Sequence, residues 1–233
     1  MNSEETKTYA REIGVDLVGI ADLALLEDIT TIPENLLEGF THALSVGVRL
    51  PDQVLDGIVD KPTPLYAHAY RTANTLLDQI TFRLAQRIQD EGYKATPLPA
   101  ALIVDEENYM GHLSAKAVAR AAGLGWQGKS LLIINPEIGP RFRVATVLTD
   151  MPLAPDEPLA NKCAGCTECV KACPAQAIRG AVWENYPDSR AEALDVARCA
   201  DLLTYTFKNL PHIGHTICGI CVKVCPWGKP ADK

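Results

Sequence analysis

All eight cysteines of this chain lie between Cys163 and Cys225, and none occurs in the first 162 residues. They spell Cys163-x2-Cys166-x2-Cys169-x3-Cys173-Pro174, then an isolated Cys199, then Cys218-x2-Cys221-x3-Cys225-Pro226. Such asymmetry marks a boundary, and the Pro-rich, acidic stretch DMPLAPDEPLANK, Asp150 to Lys162, falls on it as a linker or a strap. The expected division is an amino-terminal domain over 1–155, holding a cofactor or substrate, and a cysteine domain over 156–233.

The spacing decides what the cysteines hold. Two-residue gaps wrap a short loop around one [4Fe–4S] cubane, and a fourth cysteine followed by proline departs on a helix to reach a second one, the bacterial ferredoxin pattern. Applied twice, the rule assigns Cys163, Cys166, Cys169 and Cys225 to one cluster and Cys173, Cys199, Cys218 and Cys221 to the other. Cys199 replaces the first member of the second triplet, so the helix-like segment SRAEALDVARCADLLTYTF must carry it in. Zinc would need two tetrahedral sites, and three cysteines within seven residues suit a cubane better. Disulfides are disfavoured in a reducing compartment. The small residues Ala164, Gly165 and Gly219, with Ile220, leave backbone N–H groups near cluster sulfurs, where they tune potential.

Ahead of the cysteines, helices and strands alternate, which gives an α/β (α+β) class. A helix is expected near Glu4 to Glu12, then LVGIADL as a strand, a short helix at Asn35 to Phe40, and HALSVGVRL as a second strand. A long amphipathic helix follows from about Tyr70 to Glu91, with Leu76, Leu77, Ile80, Leu84 and Ile88 on one face. TPLPAALIV, LLIIN and RFRVATVLT read as further strands.

The stretch GLGWQGKS, Gly123 to Ser130, matches both the dinucleotide and the P-loop glycine patterns. Either needs a strand before the glycines and a helix after them. Here the order is reversed: the Ala-rich run LSAKAVARAAG ends at Gly123 as a helix does, and an apolar β-branched run follows. Nucleotide binding is therefore set aside. A net charge of −7 disfavours nucleic acid as a partner. The opening MNSEETKTYAREIG lacks an apolar signal core, and no window approaches the roughly 18 apolar residues of a membrane span. A cytoplasmic protein without membrane contact is expected.

Taken together, AGLGWQGKSLLIIN, TDMPLAPDEP leading into CAGCTECVKACPAQAI, ARCADLLTY and CGICVKVCPWG resemble the epoxyqueuosine reductase family, which shares its architecture with reductive dehalogenases. The resemblance implies a base-off cobalamin in the amino-terminal domain, fed with single electrons by the clusters. It places Trp126, Gly128, Lys129 and Ser130 beside that corrinoid. It also implies an electron donor such as a ferredoxin or flavodoxin, and a small-molecule substrate or a corrinoid protein as partner.

Reduction of a carbon centre needs a proton donor. Asp105 matches the family's acidic residue if four residues are inserted after it, whereas an ungapped reading puts Tyr109 there; both are candidate catalytic residues. The family's Gly-Arg-Asp-Tyr-His element is reduced to its arginine, Arg71, between Tyr70 and Thr72. That departure supports a second reading, a non-catalytic electron carrier that reductively activates a corrinoid or metalloenzyme partner. A flavin is a third reading without a motif of its own.

Overall fold

The computed structural model describes residues 1–229. Contacts gather them into two compact units that do not follow chain order. One comprises Met1–Val48, Ala73–Leu124 and Arg143–Leu159, the other Arg49–Thr72, Gly125–Phe142 and the described residues from Ala160 on.

The first unit is built on a four-stranded sheet. Helix α1 (Ser3–Glu12) starts at a capping box in which Asn2 and Glu5 each accept the other's backbone N–H. Strands β1 (Leu17–Asp22), β2 (His42–Arg49), β3 (Ala95–Leu98) and β6 (Phe142–Thr149) lie in the order β1-β2-β6-β3. β1 pairs antiparallel with β2, from Leu17 opposite Gly47 to Asp22 opposite His42, and β3 with β6, from Ala95 opposite Thr149 to Leu98 opposite Thr146. These antiparallel pairs put the mixed fold on the α+β side. Pro97 is tolerated because β3 is an edge strand.

Helix α3 (Pro64–Asp90) begins earlier than its apolar stripe suggests. Pro64 suits the first helical position, and the Thr63 hydroxyl accepts the Tyr66 N–H at 3.1 Å. Its buried stripe includes Leu77, Ile80, Leu84 and Ile88, while Leu76 faces out. Asn35 to Phe40 is a run of tight turns rather than a helix, and the strand expected through Val104 stops at Leu98. Helix α4 (Ala115–Ala121) ends as expected, with Gly123 at φ +69. It packs on β1, where a Cβ on Gly19 would strike the Ala122 carbonyl.

The Pro-rich stretch is a strap. Asp156 exchanges backbone hydrogen bonds with β1: its carboxylate accepts the Ile20 N–H and its own N–H donates to the Ile20 carbonyl, both at 2.8 Å. Lys7 adds an ion pair to the same carboxylate at 2.7 Å.

The second unit holds the cysteines. Helix α2 (Asp52–Asp56) is tied to fully buried Arg141 through Asp52 at 3.2 Å and Asp56 at 2.9 Å. Strands β4 (Trp126–Gln127) and β5 (Ile133–Ile134) form a small hairpin. Helices α5 (Glu168–Ala172), α6 (Arg190–Ala193), α7 (Val196–Asp201) and α8 (Ile220–Val224) follow, with a π-helical turn at Leu202–Thr206. α5 and α2 both pack on α8. Gly139 and Gly228 admit a backbone crossing, because a Cβ on either would strike the main chain carrying the other's neighbour, Trp227 or Ile138. No described helix is long and apolar enough to cross a membrane.

Candidate functional site

Two cysteine loops face their helices in the same way. In the first, Cys163 and Cys166 close a turn, with the Cys166 N–H on the Cys163 carbonyl at 3.0 Å, and α5 carries Cys169. In the second, Gly219 at φ +82 separates Cys218 from α8, which carries Cys221. α7 presents Cys199, and the Ala177 N–H points at the Cys173 sulfur at 3.4 Å.

All eight thiols are half-buried and unpaired as disulfides. Electrostatics sorts them. Burial pushes the Cys225 thiol up to about 11, and the thiols that act on it are Cys163, Cys169 and Cys166. Burial likewise pushes Cys218 up to about 11, with Cys199 and Cys173 adding to it. Cys221 is raised still further by burial, then by Cys218, Cys199, Cys169 and Cys173. Cys169 is raised by burial, Cys163 and Cys166, and lowered by the Lys129 ammonium. The thiols that act on Cys225 lie within one expected quartet and those that act on Cys218 within the other, while Cys221 is acted on by members of both. Among the described residues, no three His, Cys, Asp or Glu side chains converge closely enough for a single metal ion. Iron that binds these thiols must displace their protons.

The GLGWQGKS segment lies in the packing of this unit. Gly125 to Gln127 enters β4, and Gly128 to Leu131 turn the hairpin, with the Gly128 N–H on the Leu132 carbonyl at 2.8 Å. No helix leaves these glycines, so a phosphate-binding terminus is absent from this segment. Trp126 is fully buried, edge-on to Trp227 with ring centres 4.8 Å apart. A Cβ on Gly128 would sit 3.4 Å from the Cys163 sulfur. Lys129, only 4% exposed, donates to the carbonyls of Ala164 and Cys166, each at 2.8 Å. Of the four residues expected beside a corrinoid, Ser130 alone keeps partial exposure. The visible partners of the other three belong to the cysteine unit.

Asp105 and Tyr109 lie on a loop of the other unit. Its root is anchored: the Ala100 N–H donates to Asp78 at 2.8 Å, and Arg143 bridges Asn74 and the Ala100 carbonyl. Its tip is open, with Leu102, Ile103, Val104 and Tyr109 exposed. Asp105 pairs with Met110 across the loop and accepts both the backbone and side-chain N–H of Asn108, at 2.9 and 2.8 Å. Those bonds hold its carboxyl below the usual carboxylate range. Tyr109 stands at φ +54. Beside the loop root is a cavity of about 140 Å³ lined by Leu98, Ala100, Leu102, His112 and Leu113, below the roughly 300 Å³ at which ligand pockets begin.

Sequence spacing missed Lys129 as a partner of the cysteine loop. A lysine between Gly128 and Ser130 looks solvated, and its burial and its two carbonyl partners reveal otherwise.

Comparison with known proteins adds the following. Residues 162–228 match the 4Fe-4S double cluster binding domain. The epoxyqueuosine reductase of Listeria monocytogenes is 34% identical, over 98% of this chain and 65% of its own length. The chain thus spans about 65% of the length of such curated relatives. A catabolic reductive dehalogenase superimposes with a TM-score of 0.79 at 21% identity, over 97% of this chain and 32% of that one. An epoxyqueuosine reductase solved with an epoxyqueuosine-modified tRNA stem loop gives 0.64 at 24% identity, over 97% and 64%.

Proposed function

We propose, starting from a chain that belongs with the epoxyqueuosine reductase-like and reductive dehalogenase-like proteins, that it is an iron–sulfur oxidoreductase whose two [4Fe–4S] clusters pass single electrons to a cobalamin held by residues 1–155, for reduction of a small organic substrate. The observation that carries this reading is that all eight cysteines fall within residues 162–228, the segment that matches a double-cluster domain.

The donor set suits the clusters. Thiols raised by burial and by one another exchange their protons for iron, which removes the repulsion that raised them. When bound, a cobalamin would supply a low-valent cobalt for attack on, or reduction of, the substrate. Its support comes from the relatives, since most of the GLGWQGKS side chains are spent on the cysteine loop; Ser130 is the residue left to meet it. The chain's own part in the chemistry is proton delivery. For Asp105 to deliver a proton, its loop must first break the two Asn108 bonds. Tyr109 needs no such release, and its phenol is exposed already.

Nucleic acid returns as a substrate class. Net charge disfavours it, yet a relative of the same fold has been solved with a tRNA stem loop. The second reading, an electron carrier that activates a corrinoid or metalloenzyme partner, is favoured by the loss of the acidic and aromatic part of the Arg71 element. A cytoplasmic setting, with a ferredoxin or flavodoxin as donor, fits either reading.

Anaerobic titration of the cluster-loaded protein with cob(II)alamin separates them. Saturable binding with loss of the axial-nitrogen splitting in the EPR spectrum supports the reductase. Two reducible clusters and no cobalamin binding would leave the carrier. With cobalamin bound, turnover of a modified tRNA stem loop against small organic acceptors decides the substrate class.

A further inference from the structure

Lys129 presents a charge without a counter-charge. Its ammonium is buried, its two bonds go to neutral carbonyls, and no described carboxylate pairs with it. An unpaired buried cation costs several kcal/mol, so chains retain one where an anion completes the site. Both carbonyls belong to the turn between Cys163 and Cys166, which wraps the first cluster in the ligand assignment above. A cubane with four thiolates is an anion, and reduction adds a further negative charge.

We propose that Lys129 is a positioning and potential-setting residue for one cluster only. Its ammonium raises the reduction potential of the cluster on Cys163, Cys166, Cys169 and Cys225, and leaves the cluster on Cys173, Cys199, Cys218 and Cys221 unaffected, so that the first cluster is where the electron rests. Net charge and hydrogen bonding near the sulfurs are established controls of cluster potential. The inference rests on the two-quartet reading.

The test is an anaerobic, EPR-monitored redox titration of cluster-loaded wild type, Lys129→Gln, Lys129→Met and Lys129→Arg, with Cys199→Ala to identify which signal belongs to which quartet. In the two neutral variants the reduced-to-oxidised ratio of the first cluster at fixed potential should fall about tenfold, equivalent to 59 mV for one electron. The second cluster should not move, and Lys129→Arg should restore the first to within about twofold of wild type. Fewer than two cubane signals in wild type would sink the quartet reading, whatever Lys129 does. Two loaded clusters with unchanged potentials in Lys129→Gln would overturn the lysine's role, as would an equal shift of both. Loss of the first cluster from both neutral variants, with Lys129→Arg loaded normally, would count against tuning and for a purely structural tie.

Discussion

The first cysteine loop, Cys163 to Cys169, and the second, Cys218 to Cys221, open with the same Cys-x2-Cys step and support it differently. Each has one left-handed residue, at different steps of the pattern: Gly219 caps α8 as Thr167 caps α5, whereas Ala164 lies between Cys163 and Cys166. In the second loop that residue is Gly219, at φ +82, pressed against side chains: a Cβ would lie 2.6 Å from the Ile58 Cδ1 and 2.7 Å from the Tyr66 ring. In the first it is Ala164, at φ +40, exposed and strained, with its carbonyl held by Lys129. One loop is fixed by packing and the other by polar ties. Identical ligand spacing therefore does not imply identical tolerance to change.

The largest effect should follow from filling the packed loop. Gly219→Val adds both a branched side chain and a forbidden φ, so the second quartet cannot form while the first survives. Iron content should fall from about eight to about four per chain, with one of two EPR signals lost. Retention of both clusters would mean that the loops share their support after all.

Cys199→Ala should have nearly the same consequence by another route. Cys199 reaches its quartet on α7, started by the Asp195 side chain, which accepts the Arg198 N–H at 3.1 Å. Removing one thiolate leaves three ligands, and the second cluster should become labile, lost on gel filtration or converted to a three-iron signal. The first quartet, with no such remote member except Cys225, should be indifferent.

The polar ties of the first loop predict a smaller loss. Asn161 accepts the Cys163 N–H at 2.8 Å and donates to the Gln127 carbonyl at 3.2 Å, a carbonyl that Trp183 also bonds at 3.0 Å. Asn161→Ala should cost about 1–2 kcal/mol by denaturant titration of the apo protein. Cluster loading at the second quartet should stay unchanged.

This contrast explains how far the chain could be read in advance. The double-cluster domain was legible because ligand spacing is local and cubane geometry constrains it; β1, β2, β6 and the end of α4 at Gly123 were legible because their apolar periods are uninterrupted. What escaped depends on groups distant in sequence. Nothing around Arg49–Thr72 or Gly125–Phe142 marks them as companions of residues after Ala160. The burial of Lys129 is invisible for the same reason, since its partners lie 35 and 37 positions away. Other misses were local signals outweighed by pattern: Thr63-Pro64 announced the start of α3, and Pro97 and Pro99 the end of β3, yet the apolar stripe drew the boundaries elsewhere.

The smallest prediction separates strain from function in the first loop. Ala164, like Gly219, is left-handed, and a left-handed alanine costs roughly 1–2 kcal/mol relative to its preferred backbone. Ala164→Gly removes that strain but frees the unfolded chain, an opposing effect of about 0.4–1 kcal/mol. The two partly offset each other, so the apo chain should gain between zero and about 1.6 kcal/mol by denaturant titration. Its carbonyl can still accept from Lys129, so the first cluster's potential should not move. A shift in that potential would mean that the alanine backbone, and not the ammonium, sets the environment of the first cluster.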